Sequence, residues 1–80
     1  MISGMTWKEH ISVDAAVLVG KPVIKGTRIA VERVLDLLAA GQDEAAIRAS
    51  YPGITDDDIR ACVAYAADVV RSERVYPAAS

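Results

Sequence analysis

Val31-Glu32-Arg33-Val34-Leu35-Asp36-Leu37-Leu38-Ala39-Ala40-Gly41 is the stretch that decides the fold. Val31, Val34, Leu35 and Leu38 recur at i, i+3, i+4 and i+7, and Glu32, Arg33 and Asp36 fall away from that stripe. Apolar recurrence at this spacing gives an α-helix one core-facing side, so a first helix is predicted from Val31 to Ala40. Gly41 stands where a left-handed residue would end it. Asp43 then suits the N-cap of a short second helix, Glu44 to Ser50, with Ile47 as its main anchor.

Downstream, Pro52-Gly53 breaks the chain and Thr55 opens a third helix. Asp58 lies three residues beyond Thr55, a version of the capping box that usually employs Glu, and Ile54 can staple onto Ile59. Ile59, Cys62, Val63, Ala66 and Val70 are predicted to continue one apolar stripe for about 18 residues. Asp56, Asp57 and Asp58 complement the positive end of the helix dipole. Three helices joined by short connections, the second carrying Pro and Gly, match a helix-turn-helix-like domain of the homeodomain-like or winged-helix-like kind.

Upstream, Trp7 to Val13 and Pro22 to Ile24 have the β-branched content of short strands, with Asp14 and Gly20 supplying turn chemistry. A lone hairpin is marginal in water, so this pair must pack on the helices or add to a second copy. The predicted class is therefore mainly α, three helices preceded by a short N-terminal strand pair. Residues 1–80 read as a single domain, with a folded core over 10–74 and a C-terminal tail over 75–80.

With 80 residues the chain has a thin core, burying roughly 62% of its unfolded surface by size scaling. At 52% hydrophobic and 25% charged it is neither a disordered tail nor a membrane span. The start, Met1 to Met5, lacks a basic region followed by an apolar run, so a cytoplasmic location is expected. One cysteine and one histidine are too few for a disulfide or a structural zinc site.

Net charge is −2, yet its distribution is uneven. Residues 1–34 carry five basic and three acidic groups, and residues 35–80 carry four basic and eight acidic. Lys21, Lys25, Arg28 and Arg33 form the basic footprint, and any contact with DNA is expected from them, two copies doubling the patch. Arg28 has a second reading, tying down its own turn through carbonyls or a carboxylate such as Asp14. Three carboxylates at the start of the third helix would be repelled between phosphate rails, which makes that helix a poor recognition helix.

Other candidate chemistry is thin. Gly20 to Thr27 resembles a phosphate loop only superficially, because Lys25 precedes the second Gly and Pro22 removes a donor. His10 has no evident orienting partner and reads as a strand-face histidine; Cys62 reads as a core thiol. Asp56 to Asp58 point about 100° apart on a helix and do not converge on a cation. No enzyme, cofactor, metal or small-molecule substrate is expected. At the C-terminus Val69, Val70, Val75 and Tyr76, with Arg71 and Arg74 among them, exceed what a three-helix core needs. Val70, Arg71, Arg74 and Tyr76 are the candidate partner-binding residues, on an arm that packs back or folds onto another protein.

Gly20-Lys21-Pro22-Val23-Ile24-Lys25-Gly26-Thr27-Arg28-Ile29, followed by Val31, Gly41, Tyr51-Pro52, Thr55 and Tyr65-Ala66, resembles the prokaryotic family catalogued as domain of unknown function 433 over about residues 10 to 67. Val19 stands where many relatives have Gly, and Ala30 where many have Pro. The resemblance implies a compact helix-turn-helix-like fold, commonly dimeric, and a role as an antitoxin of the VapB type beside a PIN-type ribonuclease toxin. An arginine such as Arg71 or Arg74 would then enter the toxin's carboxylate cluster. The expected function is a homodimeric antitoxin that binds toxin and operator DNA without catalysis. The alternative is a stand-alone dimeric interaction module that does not bind DNA.

Overall fold

The computed structural model describes residues 6–14 and 20–72. A 3-10 turn, Trp7–Glu9, leads into strand β1, Ile11–Val13, which pairs antiparallel with β2, Pro22–Ile24. Helices α1, Val31–Ala39, α2, Glu44–Ser50, and α3, Asp56–Ser72, complete a mainly helical architecture. The first strand is shorter than the Trp7 to Val13 expectation, because a tight turn takes up residues 7–9: the His10 N–H donates to the Trp7 carbonyl at 2.8 Å.

Register in the hairpin sets Ile11 opposite Ile24, Ser12 opposite Val23 and Val13 opposite Pro22. Ile11, Val23 and Ile24 are buried and Val13 is exposed, so the pair has a core face and packs on α1 and α3. Beyond β2 the chain turns sharply. The Thr27 N–H donates to the Ile24 carbonyl at 2.9 Å, with Gly26 at φ +81° in the third position of the turn. A type II turn needs positive φ there, which only glycine adopts cheaply. Thr27 then locks the turn, its hydroxyl donating to Ile24 O at 2.8 Å and accepting from Ile29 N–H at 2.9 Å.

Three of the helix ends follow the local chemistry of their sequence. Gly41, at φ +97°, ends α1 in a Schellman arrangement: the Gln42 N–H donates to Leu37 O at 3.1 Å and the Gly41 N–H to Leu38 O at 3.0 Å. Asp43 caps α2 by accepting from Ala46 N–H at 2.9 Å. The capping box of α3 is closed in both directions, Asp58 N–H to Thr55 Oγ1 at 3.1 Å and Thr55 N–H to Asp58 Oδ2 at 3.0 Å.

Ile11, Ile24, Val31, Val34, Ile47, Ile54, Ile59, Ala61 and Cys62 make one buried cluster, edged by Trp7, Leu35, Leu38, Tyr51 and Tyr65. Each fully buried branched side chain contributes about 1.5–3 kcal/mol. The predicted α3 stripe needs correction at two positions, since Val63 is 48% and Val70 68% exposed. Val63 stands about 40° round the helix from Ile59 on the side away from Cys62, Val70 is about three turns further along than Ile59, and Ala61 takes a core position instead. Among the described residues no helix is long and apolar enough to cross a membrane.

Candidate functional site

The Thr27 lock decides how the basic residues around it are presented. Because Thr27 ties the turn, Arg28 is not needed for that task, and it makes no hydrogen bond or ion pair with another described residue. It lines a groove of about 500 Å3 bordered by Lys21 just before β2, by residues 28–30 after the turn, by the first two turns of α1 and by Tyr51 at the end of α2. Lys21, Arg28, Glu32, Arg33, Asp36 and Tyr51 line it. Residues from positions 21 to 51 thus meet in one concavity because the hairpin and α2 flank the same end of α1.

Three of the four expected cations, Lys21, Arg28 and Arg33, share this groove. Lys25 does not line it: its ammonium donates to the Lys8 carbonyl at 3.2 Å and so braces the N-terminal turn. Within the groove Lys21 is joined to Glu32 at 2.9 Å, with both side chains more than half exposed. Such a pair contributes little to stability, about 0.2–1 kcal/mol, and mainly cancels charge locally. Arg33 and Asp36 make no ion pair with another described residue. The groove is therefore mixed in charge, three cations against two carboxylates, with an aromatic side chain at one wall.

The second expected surface is the last turn of α3. Val70 is exposed, and Arg71 is 67% exposed, its guanidinium donating to Asp68 Oδ1 at 3.1 Å. Asp68 also accepts from the Trp7 indole N–H, and the Trp7 ring meets Tyr65 edge-on at 85° with centroids 4.8 Å apart. The Asp68 carboxylate thus holds both the N-terminal turn and Arg71. Arg74 and Tyr76, like Val75, lie outside the described residues.

Several features predicted as isolated have partners. His10 is not a strand-face residue: it precedes β1, and its Nδ1 lies 2.9 Å from Asp58 Oδ1. Asp57 accepts from Arg60 at 3.1 Å, and Asp56 Oδ1 lies 2.8 Å from Arg48 Nε, a contact of charges whose N–H is not aimed at the oxygen. The acidic triplet is therefore engaged by three different groups. Among the described residues no set of three or more His, Cys, Asp or Glu side chains is placed to hold a metal ion. Cys62 is fully buried, and desolvation, with a smaller contribution from the Asp58 charge, pushes its thiol up to about 12.

Strand pair, three capped helices and a motif-built turn beside α1 together define a small mainly helical domain with a mixed-charge groove. The chain belongs to the family described as protein of unknown function DUF433, whose pattern matches residues 11–66. The crystal structure of a DUF433 member from Anabaena variabilis is similar, with a TM-score of 0.73 and 27% sequence identity, covering 78% of this chain and 61% of that one. The chain thus corresponds to less than two thirds of that protein's length. No curated protein matches it.

Proposed function

We propose that this protein is a homodimeric, non-enzymatic antitoxin of a type II toxin–antitoxin pair, of the VapB type. It holds operator DNA through the Lys21, Arg28 and Arg33 side of the domain and a PIN-like toxin through the end of α3. The observation that carries the reading is the convergence of Lys21, Arg28 and Arg33 on one groove, with both guanidiniums free of protein partners among the described residues. Unpaired guanidiniums suit phosphate oxygens, which they meet in a bidentate fork. A phosphate held by the two arginines is contacted once in each copy, so a dimer doubles the contact.

Affinity for operator DNA tests the basic side. Its logarithm falls linearly with log salt, at a slope set by the phosphates contacted. Arg28→Ala with Arg33→Ala is expected to flatten the slope by about 1 per lost contact in each copy, whereas Lys25→Ala leaves it unchanged. An unaltered slope in the double variant removes the DNA assignment. Co-expression with the neighbouring gene product tests the partner side, and the absence of any stable complex removes the antitoxin role.

A stand-alone dimeric interaction module that leaves DNA alone is the second reading. It is favoured by three exposed valines on α3, Val63, Val69 and Val70. An acidic-site nuclease as neighbour supports the antitoxin; an unrelated neighbour supports the module.

A further inference from the structure

The groove beside α1 is concave as well as basic, and its volume of about 500 Å3 falls within the ~300–1,000 Å3 typical of small-molecule sites. Its charges are not equivalent. Lys21 and Glu32 neutralise each other at 2.9 Å. What remains is two guanidiniums, Arg28 and Arg33, and one carboxylate, Asp36, none bonded to another described residue. Tyr51, half-buried at the end of α2, supplies an aromatic wall.

This set matches a ligand that carries an anion at one end and a flat ring with a hydrogen-bond donor at the other. Glu32 and Asp36 leave the groove suited to one phosphate on the arginines rather than to several laid along it. A simple anion leaves the carboxylate and the aromatic wall without a role. We propose that the groove binds a nucleoside phosphate, with the phosphate on Arg28 and Arg33, the base against Tyr51, and a base N–H or sugar O–H donating to Asp36. The unit arrives as a free nucleotide or as an unstacked nucleotide of a single strand, since every base has a face to stack. This inference goes beyond operator binding and does not depend on it.

Titration of the isotope-labelled full chain, followed by NMR, tests it with four probes: adenosine monophosphate, inorganic phosphate, a short oligoadenylate strand and a duplex of the same length. Adenosine monophosphate or the single strand is expected to shift the amides of Arg28, Arg33, Asp36 and Tyr51 saturably. Arg28→Gln and Arg33→Gln should each weaken that binding at least tenfold. Asp36→Asn should weaken the nucleotide severalfold while leaving inorganic phosphate no weaker, and Lys25→Ala should change neither. Saturation by adenosine monophosphate assigns the free nucleotide; saturation by the strand alone assigns the single-stranded source. Equal affinity for phosphate and nucleotide, shifts confined to other surfaces, or no saturation at millimolar concentration overturns the proposal. Duplex binding that persists while both nucleotide probes fail overturns it and leaves the operator reading intact.

Discussion

The Nδ1 of His10 and the Oδ1 of Asp58 lie 2.9 Å apart although 48 residues separate them in the chain. A carboxylate oxygen only accepts, so the shared hydrogen sits on Nδ1. The other oxygen of the same carboxylate accepts from Thr55 N–H at 3.0 Å. One side chain therefore closes the start of α3 and fastens the segment leading into β1 to it. Asp58→Ala should cost about 2 kcal/mol, roughly 1 for the cap and roughly 1 for the hydrogen bond. His10→Ala should cost about 1 kcal/mol, and the double variant should show coupling of similar size in urea unfolding. Strict additivity would mean that the contact contributes nothing.

Cys62 makes stability depend on pH in the alkaline range. Its thiol is raised from the ordinary 9.0 to about 12 by burial, so the folded state holds the proton more tightly than the unfolded chain does. The stabilisation is complete below pH 9 and is lost progressively as pH rises to about 12, because only the unfolded thiol ionises in that window. The difference in unfolding free energy between the parent protein and Cys62→Ala should shrink across that range. A thiol reagent should also leave the native protein unmodified at pH 8 and react once it is unfolded. Rapid native modification would contradict the burial.

Ile47 is the fully buried residue of α2 and has 0% exposure. Ile47→Ala should cost about 2–5 kcal/mol, and Ile47→Val about 0.5–1.5 kcal/mol. In a domain of this size the larger loss removes much of the total stability, so the alanine variant should melt well below the parent in calorimetry. Indifference to the alanine change would place α2 outside the cooperative core.

Gly41 and Gly53 both have open space where a Cβ would stand, and only Gly41 has positive φ, at +97°. Gly41→Ala should therefore destabilise by about 1 kcal/mol through backbone strain alone. Gly53→Ala should be neutral or stabilising by up to about 1 kcal/mol, because it restricts the unfolded chain without strain in the fold. Equal effects in chemical denaturation would refute the conformational account.

Ala30, where the resembling family often carries Pro, has φ −70° and ψ 141° at the N-cap of α1. Proline fixes φ near this value, and the Ala30 N–H that it would remove donates to no other described residue. Ala30→Pro should raise stability by about 0.4–1 kcal/mol and the melting temperature with it. A drop would show that the Ala30 N–H is needed.

The helices were legible because the signals that make them are local. Val31, Val34, Leu35 and Leu38 lie within two turns of one another, and Asp43, Thr55 and Asp58 satisfy backbone groups at most three residues away. Trp7 and His10 were not legible in this way. Their partners Asp68 and Asp58 stand 61 and 48 residues along the chain, and no spacing rule reaches so far. The α3 stripe misled at Val63 and Val70, since spacing gives a helix its apolar line but only the packed neighbours decide how far round and how far along the helix that line is covered.

The candidate site divides in the same manner. Gly26, Thr27 and Gly41 announce their turns in the sequence, since positive φ and short side-chain hydrogen bonds are properties of a few adjacent residues. Local order therefore established the helices, their caps and the reservoir of early positive charge. Which charges meet was decided only in three dimensions, where packing of the hairpin and α2 around α1 gathered Lys21, Arg28 and Arg33 and bonded Lys25 to the N-terminal turn. Backbone hydrogen bonding is settled over a few residues, whereas convergence of distant side chains depends on how apolar faces come together to exclude water.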